Sequence, residues 1–186
     1  MSTPPPAPRL RLSSSFLLAA LLLARPATAG EPVPPAPDFL ALSAATERVA
    51  SAYVDAYFRT DFDKMEQLSG PETSFDDPTA DTLFGGAAVS GRAAVFAHLR
   101  QTFAGITHIS FRPSRRYFSG EHGVFEGEVT WGYRPSPDAP ESVTTGMPLV
   151  VIVRVKDGAV VSHRDYGDYR VLIKQARASA GTPAGK

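Results

Sequence analysis

The chain has 186 residues, of which 19 are basic and 19 acidic, so its formal charge is zero. Without a basic cluster or an aromatic-interleaved basic stripe it lacks the electrostatic footprint of a nucleic-acid binder. It contains no cysteine, which excludes disulfides, thiolate nucleophiles and cysteine-ligated metals together.

In chain order, residues 1–29 have the layout of a secretion signal. Arg9 and Arg11 supply the positive region, Phe16 to Ala24 the apolar core, and Ala27-Thr28-Ala29 a small-residue cleavage site. That core is shorter than the roughly 20 residues needed to span a bilayer. The expectation is cleavage near Ala29, export to the periplasm or the extracellular space, and no stable membrane insertion afterwards. Loss of Arg9, Arg11 and Arg25 leaves a mildly acidic mature chain. Residues 30–37 are Pro-rich and read as an extended linker.

Residues 38–175 carry the pattern of one folded domain, with Asp38 as a helix cap. Val49, Tyr53, Ala56 and Thr60 recur on one helical face, with Ala50, Val54 and Tyr57 beside them. A second helix spans Asp61 to Leu68 and ends before Gly70-Pro71. Thr73 to Phe75 is a brief extended piece running into the turn Asp76-Asp77-Pro78, where the proline biases Asp77 away from helix. A loop with Gly85-Gly86 follows. The third helix, Arg92 to Phe103, buries Phe96, Leu99 and Phe103 and stops at Gly105.

The remainder reads as four antiparallel strands. Thr107 to Phe118 is extended with a break at Pro113, and Gly123 to Tyr133 alternates apolar with polar residues. After a loop at 134–141, Ser142 to Val155 holds an apolar run, Leu149 to Val155, expected of a strand buried on both faces. Asp157-Gly158 turns it into a last strand, Ala159 to Tyr166. With period two, Val161, His163 and Asp165 share one face and Val160, Ser162, Arg164 and Tyr166 the other. An imidazole and a carboxylate side by side form either a salt-bridged rim or the floor of a pocket. Residues 176–186 read as a flexible tail. Helices segregated from strands predict an α+β fold, the helices covering one face of a curved sheet.

The four histidines show no HxH or HxxxH spacing, so a metal site is not expected, and there is neither a Gly-x-Ser-x-Gly elbow nor a phosphate loop. Phe111, Phe125, Trp131 and Tyr133 are suited to line a pocket for a flat hydrophobic ligand, and are equally ordinary sheet residues.

Four segments together carry a family resemblance: AYVDAY (52–57), FDDP (75–78), GRAAVFAHL (91–99) and DGAVVSHRDYGDY (157–169). In this order they resemble the SnoaL-like group of the nuclear transport factor 2-like superfamily, related to ketosteroid isomerase, polyketide cyclases and limonene epoxide hydrolase. The resemblance covers residues 46–172. It implies a cone, with three N-terminal helices packed on a strongly curved, mainly antiparallel sheet around a deep apolar cavity. It also implies a homodimer through the outer sheet face.

The resemblance implies site residues too. Asp77-Pro78 matches the ketosteroid isomerase base and Tyr53 its oxyanion tyrosine, while Val150 stands where the second oxyanion donor belongs. Asp165 matches both the closing-strand aspartate of the epoxide hydrolase and the acid/base of the cyclases. The hydrolase's Arg-x-Asp and Tyr-x-Asn fall on Glu128-Val129-Thr130 and Phe75-Asp76-Asp77, so most of that set is missing. Asp165, His163 and Glu128 still form a candidate water-activating group. The candidate catalytic residues are Asp165, His163, Asp77 and Tyr53, and the candidate substrate contacts are Phe75, Glu128, Trp131 and Val150. The expected function is cofactor-free, metal-free acid–base chemistry on a small hydrophobic carbonyl compound. The alternative is a non-catalytic module that binds an apolar small molecule or a protein partner in the same cavity.

Overall fold

Asp157 and Gly158 both adopt positive φ, 51° and 78°, the backbone of a two-residue hairpin turn whose twist matches its strands. This turn joins β5 (Ser142–Lys156) to β6 (Ala159–Gly167) at the centre of the sheet. The computed structural model describes residues 37–85 and 88–181. The secretion-signal reading of 1–29 and nearly all of the linker reading lie outside them.

The elements are α1 (Pro37–Tyr57), α2 (Phe62–Gln67), β1 (Ser69–Asp76), α3 (Pro78–Phe84), β2 (Val89–Ser90), α4 (Arg92–Thr102), β3 (Ile106–Ser119), β4 (His122–Tyr133), β5, β6 and α5 (Arg170–Gly181). The strands form one open sheet in the order β2-β1-β6-β5-β4-β3. It is antiparallel except where β1 runs parallel to β6. The expected α+β fold, helices on a curved, mainly antiparallel sheet, is the one observed.

Among the described residues six strands replace the four read from the sequence. Only Thr73 to Phe75 of β1 was legible as an extended piece, because its ladder to β6 skips from Ser69 to Ser74, across Pro71, which has no N–H to contribute. Its neighbour β2 is only two residues long. The Asp76-Asp77-Pro78 turn opens directly into α3. Asp77 is the N-cap and Pro78 takes the first helical position, where its missing N–H costs nothing. α5 runs on through Gly181, into the stretch read as tail, with Ala176 and Ala178 favouring helix. The Gln175 side chain fixes it to β5 through a reciprocal pair of bonds with the Thr145 backbone, each 2.9 Å.

Two strand-phase expectations are corrected. β5 is not buried on both faces: Leu149, Val151, Val153 and Val155 are buried, but Val150 and Ile152 are only half-buried and Arg154 is exposed. On β6, Ser162 pairs with Arg154 but Val160 with Val155, which leaves Val161 as the extra residue of a bulge. A one-residue slip exchanges faces. Val160 therefore turns into the core with His163 and Asp165, while Val161 is half-buried.

The core lies between α1, α4 and the inner sheet face. Ala50, Tyr53, Val54 and Tyr57 of α1 meet Val95, Phe96 and Leu99 of α4 and Phe125, Val129, Met147, Val151 and Val153 of the sheet. Each large apolar side chain so buried contributes about 1.5–3 kcal/mol. Among the described residues no helix is long and apolar enough to cross a membrane.

Candidate active site

The helices do not fill the space over the sheet completely. A cavity of about 410 Å³ remains, lined by Met147, Leu149, Val129 and Trp131 of the sheet, by Tyr57, His98 and Leu99 of the helices, and by Phe58 just beyond α1. α3 contributes Ala80, Asp81 and Phe84, the β6–α5 connection contributes Tyr169, and α5 contributes Leu172. The volume lies within the range of small-molecule sites, about 300–1,000 Å³. Asp77 and Asp165 both line it.

Asp165 is 4 % exposed and sits at the end of β6, placed on the inner face by the bulge upstream. The Tyr57 hydroxyl donates to its Oδ2 at 2.8 Å, and His163 Nε2 lies 2.9 Å from its Oδ1. An ionised carboxylate only accepts, so against an ionised Asp165 it is His163 that donates, from Nε2. Nδ1 of the same ring is 3.3 Å from the Tyr53 hydroxyl, which donates to it when the imidazole is neutral. The result is a buried chain, Tyr53 to His163 to Asp165, whose free end opens on the cavity. Tyr57 and Phe75 pack edge-on against the His163 ring, with centroids 4.7 and 4.8 Å away, and hold it in that orientation.

Asp77 is built differently. Its Oδ1 accepts from the Thr79 and Ala80 backbone N–H groups at 3.1 and 2.8 Å and from the Thr79 hydroxyl at 2.6 Å. Its Oδ2 accepts from the Tyr169 hydroxyl at 2.6 Å. Thr79 Oγ1 in turn accepts from Gly167 N–H at 2.8 Å, tying the start of α3 to the end of β6. One carboxylate thus caps a helix and positions a phenol of the cavity.

Burial, with the negative charge of Asp165 second, pushes the Tyr53 and Tyr57 phenols well above the usual tyrosine range. Tyr169 is pushed up as well, by burial and then by its bond to Asp77. All three are neutral donors throughout the physiological range.

The structure brings Asp165, Asp77, Phe75 and Trp131 to one cavity. His163 and Tyr53 are 0 % exposed and stand behind Asp165 rather than on the cavity surface. Glu128 is not part of the group: it pairs with Arg112 and lines a separate pocket with Thr130 and Thr145. The water-activating set Asp165, His163 and Glu128 is therefore not assembled. Val150 lies on the opposite sheet face, beside Glu126 and Tyr166. Tyr57 and Tyr169 are the site residues that sequence reasoning missed. Tyr57 follows Tyr53 by four residues, one helical turn, and Tyr169 closes the quoted segment at 157–169. Among the described residues no three His, Asp or Glu side chains cluster as a metal site.

A SnoaL-like domain family model matches residues 50–163. No curated protein matches the chain. Among solved structures, a Shewanella denitrificans protein assigned as a SnoaL-like polyketide cyclase superposes with a TM-score of 0.61 at 16% identity, covering 72% of this chain and 97% of its own. A limonene-epoxide-hydrolase-like enzyme of M. tuberculosis gives 0.57 at 17% identity, covering 77% and 98%. An NTF2-like protein of unknown function from Burkholderia pseudomallei gives 0.57 at 19%, covering 70% and 96%. These likenesses extend over the fold. The family match spans more than half of the chain, which is thereby a member of the SnoaL-like domain family with an NTF2-like fold.

Proposed function

We propose that the cavity is the active site of a cofactor-free acid–base enzyme of isomerase or cyclase type, acting on a small hydrophobic carbonyl compound. One observation carries this reading: two carboxylates, each hydrogen-bonded to a neutral tyrosine, open on a single apolar cavity. Asp165 is the proton carrier. Each of its oxygens accepts one internal bond, leaving lone pairs toward the cavity, whereas Asp77 Oδ1 is filled by its three cap donors.

In the proposed step the C–H bond next to the carbonyl breaks and the proton passes to Asp165. The electron pair moves onto the carbonyl oxygen, where a phenol, Tyr169 turning from Asp77, donates to the developing enolate. Return of the proton to a different carbon completes an isomerisation. Alternatively, attack of the enolate carbon on a second carbonyl of the same molecule pushes that carbonyl's electron pair onto its oxygen, which takes the proton back from Asp165 and completes a ring closure. His163 and Tyr53 hold Asp165 in place and act through it as positioning residues.

A second reading, an apolar binding module, is favoured by one fact. Every carboxylate oxygen of Asp77 and Asp165 already has an internal partner. Carboxyl-carbon NMR of labelled protein with a planar hydrophobic ketone separates the two. Catalysis requires the Asp165 carboxyl signal and the Tyr169 ring signals to move together. Shifts confined to Phe75, Trp131 and their apolar neighbours mean binding alone.

A further inference from the structure

The cavity surface is one-sided in charge. Asp77, Asp81 and Asp165 line it, and among the described residues no side chain able to carry positive charge does so apart from His98. The nearby arginines are committed elsewhere. Arg164 faces Asp76 at 3.6 Å, Arg170 binds Asp168 at 2.7 Å, and Arg92 reaches the Ser69 carbonyl at 3.3 Å. The rest of the lining is dominated by aromatic rings, Tyr57, Phe75, Phe84, Phe103, Trp131 and Tyr169 foremost.

Each feature acts in the same direction on a ligand's charge. An anionic group placed here meets carboxylates in an apolar surround with no arginine or lysine among the described lining residues to pair with, which is a rejection built into the site. A cation meets carboxylates and, in addition, aromatic rings, whose faces attract ammonium groups. A cavity of about 410 Å³ holds an apolar body as well as the charged head.

We propose that the ligand of this cavity is an organic cation, an apolar body bearing a protonated or quaternary amine. The inference rests on the cavity being the ligand site of the proposed function, and it adds the charge class: the carbonyl substrate carries an amine.

The test is calorimetric titration of the full chain with three probes of one shape: benzyltrimethylammonium, its neutral carbon isostere neopentylbenzene, and benzylsulfonate. Trp131, the sole tryptophan of the chain and part of the lining, reports by fluorescence whether each probe enters the cavity. The cation is expected to bind at least about tenfold more tightly than the neutral isostere, with no detectable binding of the anion. Asp81→Asn is expected to weaken the cation severalfold and leave the neutral isostere unchanged. Equal affinity for cation and neutral isostere, preference for the sulfonate, or no binding of any probe up to millimolar concentration overturns the inference. A cation preference without turnover of any amino ketone keeps this inference and removes the acid–base reading. Turnover of neutral ketones without a cation preference does the reverse.

Discussion

Tyr57 links the core to the chemistry, because one hydroxyl on α1 satisfies a buried carboxylate on β6 across 108 residues of chain. Tyr57→Phe leaves Asp165 short of a donor in a site it cannot leave. The expected cost is about 1–3 kcal/mol of stability, read as a lower denaturation midpoint with an unchanged slope. The phenols also set an alkaline limit. Their folded-state pKa values lie above the unfolded value of about 10. The folded chain thus keeps protons that the unfolded chain releases, so stability is intact below about pH 10 and falls as pH rises beyond it. Denaturant melts from pH 8 to 12 should show this fall, shallower in Tyr57→Phe. At this scale the sequence was only partly informative. His163 and Asp165 were legible as a pair from strand periodicity, but choosing Tyr57 over Tyr53 depends on how far α1 is rotated over the sheet. Periodicity placed the two tyrosines on neighbouring stripes and could not rank them.

At the scale of elements, α3 owes its place to Asp77, which caps it, and to Thr79, which ties it to β6. Asp77→Ala is expected to cost about 0.5–2 kcal/mol through the lost cap and to speed hydrogen exchange in α3. Asp77→Asn keeps an oxygen for the cap and should restore most of that protection. α5 depends on Gln175: its change to Ala removes both bonds to Thr145, and faster exchange confined to α5 is the expected outcome. Long periodic elements were readable in the sequence because their burial repeats. β2, α3 and all of β1 but Thr73 to Phe75 were not, since each is short or is fixed by partners far away in the chain. The phase of β6 was misread upstream of Ser162 because a bulge adds one residue without leaving a mark in composition.

For the molecule as a whole, the outer sheet face carries Val150, Ile152 and Tyr166 opposite the cavity, half-buried or exposed. We propose that two copies pair through this face. Sedimentation of the wild type should give a dimer, and Val150→Arg a monomer with its fold intact. Export through residues 1–29 is likewise a proposal, checked by intact-mass measurement of the secreted chain, which should begin near Gly30. The architecture was legible because helix and strand patterns occur in separate blocks. The shared cavity was not, because it depends on tertiary placement that brings Asp77 and Asp165, 88 positions apart in the numbering, to one surface.

The most direct test of the central claim is proton exchange itself, followed by NMR in D2O on a panel of small hydrophobic ketones, including ones that bear an amine. With the wild type, deuterium is expected to enter the carbon next to the carbonyl. In Asp165→Asn the rate should fall by about 10²–10⁴-fold, the usual contribution of a positioned acid/base, while the variant still binds ketone. Exchange that proceeds equally well in the variant, or a wild type that binds the ketones and exchanges none of them, contradicts an acid–base role for Asp165.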